Sequence, residues 1–571
     1  MVTTVSAPGK ALVAGGYLVL DPTYFGVVFA TDARFYTSVA SFPQRDTPRI
    51  RVRSPQFLEA EWVYDVVLPA MGSEDELTEG LQLVQVDENG KNPFVALTLL
   101  YALHLGIETL GDALRSQLGG GLDIVIAGDN DYYSHRVEGQ APQLAQLQAL
   151  PPFAPQHCTL SNVHKTGLGS SAAMTTSLTA GVLLHLGITK GESEDEAMPL
   201  ASLGLIHNTA QLAHCAAQGK VGSGFDVSSS VWGNQLYRRF DPSLIKDVMR
   251  EESGFRIVRT PTETEKRPPI HLLPVLDPRN PLWQPAPQDA NGVPTAVEGM
   301  MEIARSSTRE NVARPAPLQL PPGIRMCLAD VDAGSNTPTL VGQVSAFRKN
   351  KPEWAAQLYR VIAAANQSLA DGLLGLHVAC ARDKHEYARV LTALAQRSSS
   401  EWDAYRKEHP SLTADMFIDV RNSMRSVRGG MRELGVRAGA PVEPMEMSRL
   451  LDTTIRDANG ILGGGVPGAG GYDALFLLFL HPDSLSAPDE RVYAPSDVCA
   501  IWSEWSELSV GPLLCGADHP GVAGTDAGPV LDDMDPAVAS VLRDLQRTRA
   551  GLRVERRAVD GLEPLVASLG T

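Results

Sequence analysis

The run His164-Lys165-Thr166-Gly167-Leu168-Gly169-Ser170-Ser171-Ala172-Ala173 constrains this chain more than any other segment. Two glycines let the backbone turn sharply and approach a ligand, and the Ala/Ser/Thr/Leu run from Ser170 to His185 predicts a helix opening directly from that turn. A helix N-terminus presents unpaired N–H groups and a partial positive charge, so turn and helix together make a cradle for a polyphosphate. A hydroxyl from Ser170 or Ser171 reaches a phosphate or a magnesium ion. The string is neither G-x-x-x-x-G-K-[ST] nor G-x-G-x-x-G, which excludes two common nucleotide loops. Taken alone, such a turn is also an ordinary helix entry.

Other segments change its meaning. Near the start stands Ser6-Ala7-Pro8-Gly9-Lys10-Ala11-Leu12-Val13-Ala14-Gly15-Gly16-Tyr17, and far downstream Val466-Pro467-Gly468-Ala469-Gly470-Gly471-Tyr472-Asp473 runs into an apolar strand. Three glycine-rich motifs in this order resemble the GHMP kinase superfamily. The resemblance implies that the first motif supplies a lysine, here Lys10. It implies that the second, Gly167, Leu168, Gly169, Ser170, Ser171 and Ala172, binds the ATP phosphates, and that the third, Gly468, Ala469, Gly470 and Gly471, closes over them. The stretch Gln218-Gly219-Lys220-Val221-Gly222-Ser223-Gly224-Phe225-Asp226-Val227 is similar to the K-x-G-S-G-x-D segment of phosphomevalonate kinases of the fungal and plant type. That segment carries their active-site aspartate, here Asp226. Smaller strings agree: Gly15-Gly16-Tyr17-Leu18-Val19-Leu20, Lys91-Asn92-Pro93-Phe94, Gly128 to Ser134, and Gly334-Ser335-Asn336-Thr337-Pro338. Gly16 departs from the wider superfamily, which often has an acidic residue there. A glutamate that some relatives use as a second magnesium ligand has no counterpart, so metal ligation is expected from Ser171 alone.

The resemblance implies an α+β fold of two lobes, the first like ribosomal protein S5 and the second ferredoxin-like, with ATP and Mg²⁺ as cofactors. It also implies transfer of the ATP γ-phosphoryl group to 5-phosphomevalonate. The same fold could instead serve mevalonate or another small alcohol, a decarboxylase, or a catalytically silent sensor. Phosphoryl transfer needs positioning and charge neutralisation more than covalent chemistry, and Lys10 suits the role of the neutralising cation. A phosphate monoester is nearly dianionic at neutral pH, its second pKa being about 6, so Asp226 has little proton to remove and is expected to orient Lys10 and the acceptor. Holding that acceptor beside ATP requires further cations and anion-binding groups. Lys165, Lys220, Ser223 and Gly224 are candidates, with Ser335 and Thr337 at the helix that Thr337-Pro338 opens. Arg421, Arg425, Arg428 and Arg432 share one helical face, read as solvated, with a substrate-facing basic stripe as the alternative. His207 and His214 lie seven apart without a third ligand at a metal-site spacing, so both read as core or surface residues.

Apolar patterning predicts strands at Lys10 to Leu20, Val27 to Ala30, Leu122 to Ile126, Met326 to Ala329 and Leu475 to Leu480. Helices are predicted from Pro93 to about Gly106, Ser170 to His185, Leu200 to Ala217, and onward from Thr337. Between Pro261 and Pro322 stand 13 of the 40 prolines, marking a linker or insertion between residues 1–260 and 323–481. The stretch 42–89, with Glu74, Asp75, Glu76 and Glu79, reads as an acidic surface excursion, and 482–571 as a C-terminal extension. With 49 basic and 66 acidic residues the chain carries −17, which argues against a nucleic-acid partner but not against small anions in a local nest. Six dispersed cysteines without a C-x-x-C pair read as reduced thiols of a cytoplasmic protein. No signal peptide and no membrane span are expected, and the assembly is expected to be a monomer or homodimer.

Overall fold

The computed structural model describes residues 2–68, 81–137, 139–191, 197–249, 257–258, 271–284, 312–331, 337–518, 535–547, 551–567 and 569. Among these, the strands are β1 (Val2–Ala14), β2 (Gly26–Ser41), β3 (Arg49–Arg53), β4 (Glu61–Val67), β5 (Gln82–Gln85), β6 (Gly121–Gly128), β7 (Gln235–Tyr237), β8 (Ile257–Val258), β9 (Ala316–Pro317), β10 (Ile324–Asp330), β11 (Ile461–Gly465), β12 (Ala474–Leu480), β13 (Gly511–Pro512) and β14 (Arg553–Val554). They form two sheets. The large one runs β14-β1-β2-β6-β3-β4-β5-β8, with β7 and β9 branching from β2, and the small one runs β11-β12-β10-β13.

The small sheet is antiparallel throughout its pairings. Helices separate β10 from β11, β12 follows β11 directly, and the Ser496–Ser503 helix leads to β13. That βαββαβ order with β10 and β12 central is the ferredoxin-like arrangement expected of the second lobe. The fold is therefore α+β and two-lobed.

In the first lobe, the Ser170–His185 helix lies on β1 and β2. Its small residues allow close approach: a Cβ added to Gly181 would meet the side chains of Val39 and Thr37 at 3.1 and 3.2 Å. The Thr37 and Ser177 hydroxyls hydrogen-bond at 2.8 Å across this buried contact. Each large apolar side chain fully buried here, such as Val5, Val39 or Leu178, contributes about 1.5–3 kcal/mol. The Pro93–Leu110 helix starts where the sequence predicts, capped by Asn92, whose side chain accepts from the Val95 N–H at 3.3 Å. It is long and apolar enough to cross a membrane by length and composition, but most of it is buried in the core.

Four departures from the sequence expectations have physical causes. The strand expected from Lys10 to Leu20 ends at Ala14, because Gly15 and Tyr17 take positive φ (97° and 62°) and turn the chain into a short 3₁₀ segment. The stretch 42–89 is not simply a surface excursion: its β3, β4 and β5 extend the large sheet, and Trp62 and Tyr64 are buried. The acidic residues 74–79 lie outside the described residues. Within 261–322, Trp283 is fully buried and β9 pairs with β7. The C-terminal stretch is built into both lobes, since β13 edges the small sheet and β14 pairs with β1.

Buried charge reinforces that last connection. Arg34 donates through Nη1 to Asp518 at 3.0 Å and through Nη2 to the carbonyls of Ser6 at 3.0 Å and Gly551 at 2.5 Å. Beside it, burial pushes the carboxyls of Asp32 and Asp129 up to about 7, against the pull of Arg491 on Asp32 and of the Arg34 N–H on Asp129. An unfolded aspartate titrates near 3.9, so these groups release protons earlier from the unfolded chain, and their contribution to stability is lost as pH rises from about 4 to 7. Asp32→Asn, which keeps an acceptor for the Gly516 N–H, is therefore expected to melt at a temperature that gains on wild type as pH rises from 5 to 7. Parallel melting curves across that range would contradict the assignment.

Candidate active site

The site begins at an irregularity in β1. Its register against β2 shifts between Pro8 and Lys10, a bulge at Gly9. A Cβ on Gly9 would meet Thr31 Oγ1 at 2.7 Å, the Leu168 carbonyl at 2.9 Å and the Tyr132 hydroxyl at 3.1 Å, so only glycine lets the second motif close on the first. The Lys10 N–H donates to the Leu168 carbonyl at 2.9 Å, and Lys10 Nζ donates to the Gly167 carbonyl at 2.7 Å. The ammonium also lies 5.6 Å from the Phe225 ring centroid. Burial lowers the Lys10 pKa, opposed by the charges of Asp226 and Asp473.

Gly167 and Gly169 take positive φ (77° and 81°), and Gly169 caps the Ser170–His185 helix. The first turn leaves N–H groups without intrahelical acceptors. The Ala172 N–H is turned inward to the Gly169 carbonyl at 3.1 Å, so the free donors of the cradle come before it. Ser171 Oγ lies 3.1 Å from His214 Nε2. The same nitrogen is 4.0 Å from Asp226 Oδ2. Burial lowers the His214 pKa against the opposing charge of Asp226.

Asp226 sits in the first turn of the Phe225–Trp232 helix, capped by Gly224 at φ 84°. The loop before it is held by Tyr237, whose hydroxyl donates to the Ser223 carbonyl at 2.5 Å, and by Arg239, which donates to the Val221 and Gly222 carbonyls at 2.9 and 2.7 Å. Lys220 is exposed at the end of the preceding helix. Lys165 lines a cavity of about 510 Å³ together with Ser170, Ser171, Trp62, Phe94 and Tyr133. Thr337 is exposed at the start of its helix, and Ser335 lies outside the described residues.

The third motif docks on the first. The Gly468 N–H donates to the Leu12 carbonyl at 3.2 Å, and the Tyr17 hydroxyl donates to the Ala469 carbonyl at 2.6 Å. A Cβ on Gly16 would come within 2.5 Å of the Gly468 carbonyl, which accounts for the missing acidic side chain at that position. Lys10, the Gly167–Ser171 turn and Asp226 thus converge from three separate segments, with the Gly468–Gly471 loop held against the first motif.

No protein-family model matches the chain. Over 570 residues it is 31% identical to the peroxisomal phosphomevalonate kinase of Arabidopsis thaliana, covering 95% of this chain and 99% of the relative. Over 524 residues it is 33% identical to a phosphomevalonate kinase of Aspergillus fumigatus, covering 85% and 89%. The chain belongs to the phosphomevalonate kinase family. A solved structure of the Streptococcus pneumoniae phosphomevalonate kinase in complex with phosphomevalonate and AMPPNP matches with a TM-score of 0.45 at 13% identity, covering 85% of this chain and 94% of that one.

Within this phosphomevalonate kinase fold, several neighbours of the site escape sequence reasoning. His214 reads as an unremarkable helical histidine until the fold sets it between Ser171 and Asp226. Trp62 and Phe57 come from the stretch read as an excursion, yet they wall the cavity beside Ser170. The arginine face, read as solvated, is instead buried at Arg421 and ion-paired there and at Arg428, and it is not free to meet substrate along its length. Arg421 is buried and pairs with Asp403 at 2.9 Å, while Arg428 pairs with Glu443 at 2.7 Å and Asp452 at 2.6 Å. Arg432 lies 3.5 Å from both Glu443 and Asp452. Those ion pairs tie its helix, Leu412–Ala438, to the Trp402–Glu408 helix before it and to the segments that follow it.

Proposed function

We propose that this chain transfers the γ-phosphoryl group of ATP to (R)-5-phosphomevalonate, giving 5-diphosphomevalonate and ADP. A phosphate oxygen of the acceptor forms the new bond to the γ-phosphorus as the bond to the β,γ-bridging oxygen breaks, and ADP leaves. The observation that carries this reading is the convergence of Lys10, the Gly167–Ser171 turn and Asp226, in a chain of the phosphomevalonate kinase family.

The triphosphate lies over the N-terminus of the Ser170–His185 helix, where the free N–H groups and helix dipole favour anions. The adjoining cavity, walled by Phe57, Trp62, Phe94 and Tyr133, takes the adenosine, with Lys165 at its phosphate side. This moves Lys165 from the acceptor to the nucleotide. Lys10 neutralises charge that builds on the transferred group, and Asp226 holds that ammonium and the acceptor in register. Ser223 and Gly224, in the loop clamped by Tyr237 and Arg239, border the acceptor.

Ser171 offers a hard oxygen donor at the head of the phosphate cradle, with the Asp226 carboxylate close by. Among the described residues no group of three or more His, Cys, Asp or Glu could hold a metal ion unaided. This fits Mg²⁺, which is usually held by one or two protein oxygens and substrate phosphates. When bound, Mg²⁺ neutralises phosphate charge. The six cysteines are all free thiols.

An ADP-release assay across mevalonate, phosphomevalonate and related acids tests the acceptor. Turnover is expected with phosphomevalonate and at background with mevalonate. Rapid ADP production with mevalonate and none with phosphomevalonate would overturn the proposal.

A further inference from the structure

We propose that His214 is a positioning residue that orients the Ser171 hydroxyl toward the divalent cation, an assignment that rests on Ser171 being the hydroxyl that holds Mg²⁺. The imidazole is buried, with only 3% of its side chain exposed. It projects from the Leu200–Gln218 helix to the head of the Ser170–His185 helix, and its Nε2 lies 3.1 Å from Ser171 Oγ. A hydroxyl that gives a lone pair to a cation must aim its proton elsewhere, because the cation repels it. An acceptor on the far side fixes that proton and leaves the lone pairs facing the metal.

Two neighbours prepare His214 for this task. Gln218, one turn further along the same helix, places its amide nitrogen 3.3 Å from Nε2; an amide N–H only donates, so Nε2 is an acceptor that Gln218 shares with Ser171, whose hydroxyl is nearer at 3.1 Å. The Phe94 ring packs beside the imidazole with centroids 5.5 Å apart, which limits its rotation. Asp226 Oδ2 lies 4.0 Å from Nε2, beyond direct hydrogen-bonding distance, so the carboxylate does not compete for the position that Ser171 occupies.

The test measures Mn²⁺ binding in the presence of ADP by paramagnetic resonance, alongside the Mg²⁺ concentration for half-maximal turnover. His214→Leu is expected to weaken both about tenfold, the lower end of the loss usual when a partner of a metal ligand is removed. The KM for phosphomevalonate should stay unchanged. His214→Gln, whose amide oxygen can accept from Ser171, should recover most of the loss. Should His214→Leu not fold by thermal melting, His214→Ala with added imidazole carries the same test, with recovered Mn²⁺ binding as the expected result. Ser171→Ala separates the two readings. If it weakens Mn²⁺ binding while His214→Leu does not, the assignment of His214 is overturned and that of Ser171 stands. If Ser171→Ala leaves Mn²⁺ binding unchanged, the serine is not a ligand and both fall. Equal losses in His214→Leu and His214→Gln would show a packing role and also overturn the proposal.

Discussion

Lys10→Met is expected to lower kcat about 10³-fold, the scale for removing one preorganised charge from a developing anion or phosphoryl group. Methionine keeps the length and apolar character of the stem, which packs against Gly169: a Cβ at that glycine would lie 3.2 Å from Lys10 Cγ and Cε. The substitution therefore removes the ammonium at 2.7 Å from the Gly167 carbonyl while preserving the backbone bond from Lys10 N–H to Leu168. Thermal melting should stay close to wild type. A second readout follows from burial, which holds the Lys10 pKa below its ordinary value of 10.5. The cation is present at low pH and lost as pH rises through that lowered value, so kcat/KM of the wild type should fall on the alkaline side earlier than an ordinary lysine would allow. The methionine variant, having no ammonium, should lack that limb. A folded Lys10→Met enzyme retaining more than a tenth of wild-type kcat would remove Lys10 from its role.

The parts of the fold that local chemistry dictates were legible in the sequence. Gly169 and the small residues after it mark the Ser170–His185 helix at its observed bounds, and Asn92-Pro93 marks the start of another. The order of the three glycine motifs carried the two-lobed α+β fold with it. What local pattern concealed was pairing over distance. In β3, Arg49, Arg51 and Arg53 alternate with Ile50 and Val52, a strand pattern whose charged positions look like solvent. Arg51 and Arg53 in fact pair with Asp123, a fully buried carboxylate on β6. The C-terminal stretch hid its role in the same way, since Asp518 matters only when Arg34, far away in sequence, reaches it. His214 is the corresponding case at the site: its partner Ser171 lies 43 residues away, and no spacing rule joins them.

Gly470→Ala and Gly468→Ala, compared side by side, should separate backbone strain from crowding in the Gly468–Gly471 loop that docks on the first motif. Both glycines take positive φ, 78° and 70°, so alanine costs roughly 1–2 kcal/mol at either position through the left-handed backbone alone. Their surroundings differ. Among the described residues nothing lies within 4 Å of a Cβ on Gly468, whereas a Cβ on Gly470 would fall inside the Val442 carbonyl oxygen. That carbonyl already accepts from the Gly471 N–H at 2.9 Å, so it cannot yield without breaking the bond that anchors the loop. Gly470→Ala should therefore cost about 1–3 kcal/mol beyond Gly468→Ala, the usual price of overpacking. The displaced loop should also drag on its other contacts, the Gly468 N–H to Leu12 and the Tyr17 hydroxyl to Ala469, which sit on the motif that carries Lys10. Misplacing reacting groups by about 1 Å can cost 10²-fold in rate, so Gly470→Ala is expected to lose about 10²-fold in kcat/KM for ATP, and Gly468→Ala less than tenfold. Chemical denaturation gives the stability difference and ADP release the kinetic one. Equal behaviour of the two variants would mean that the loop closes without bearing on Val442, and that its grip on the first motif does not set the position of Lys10.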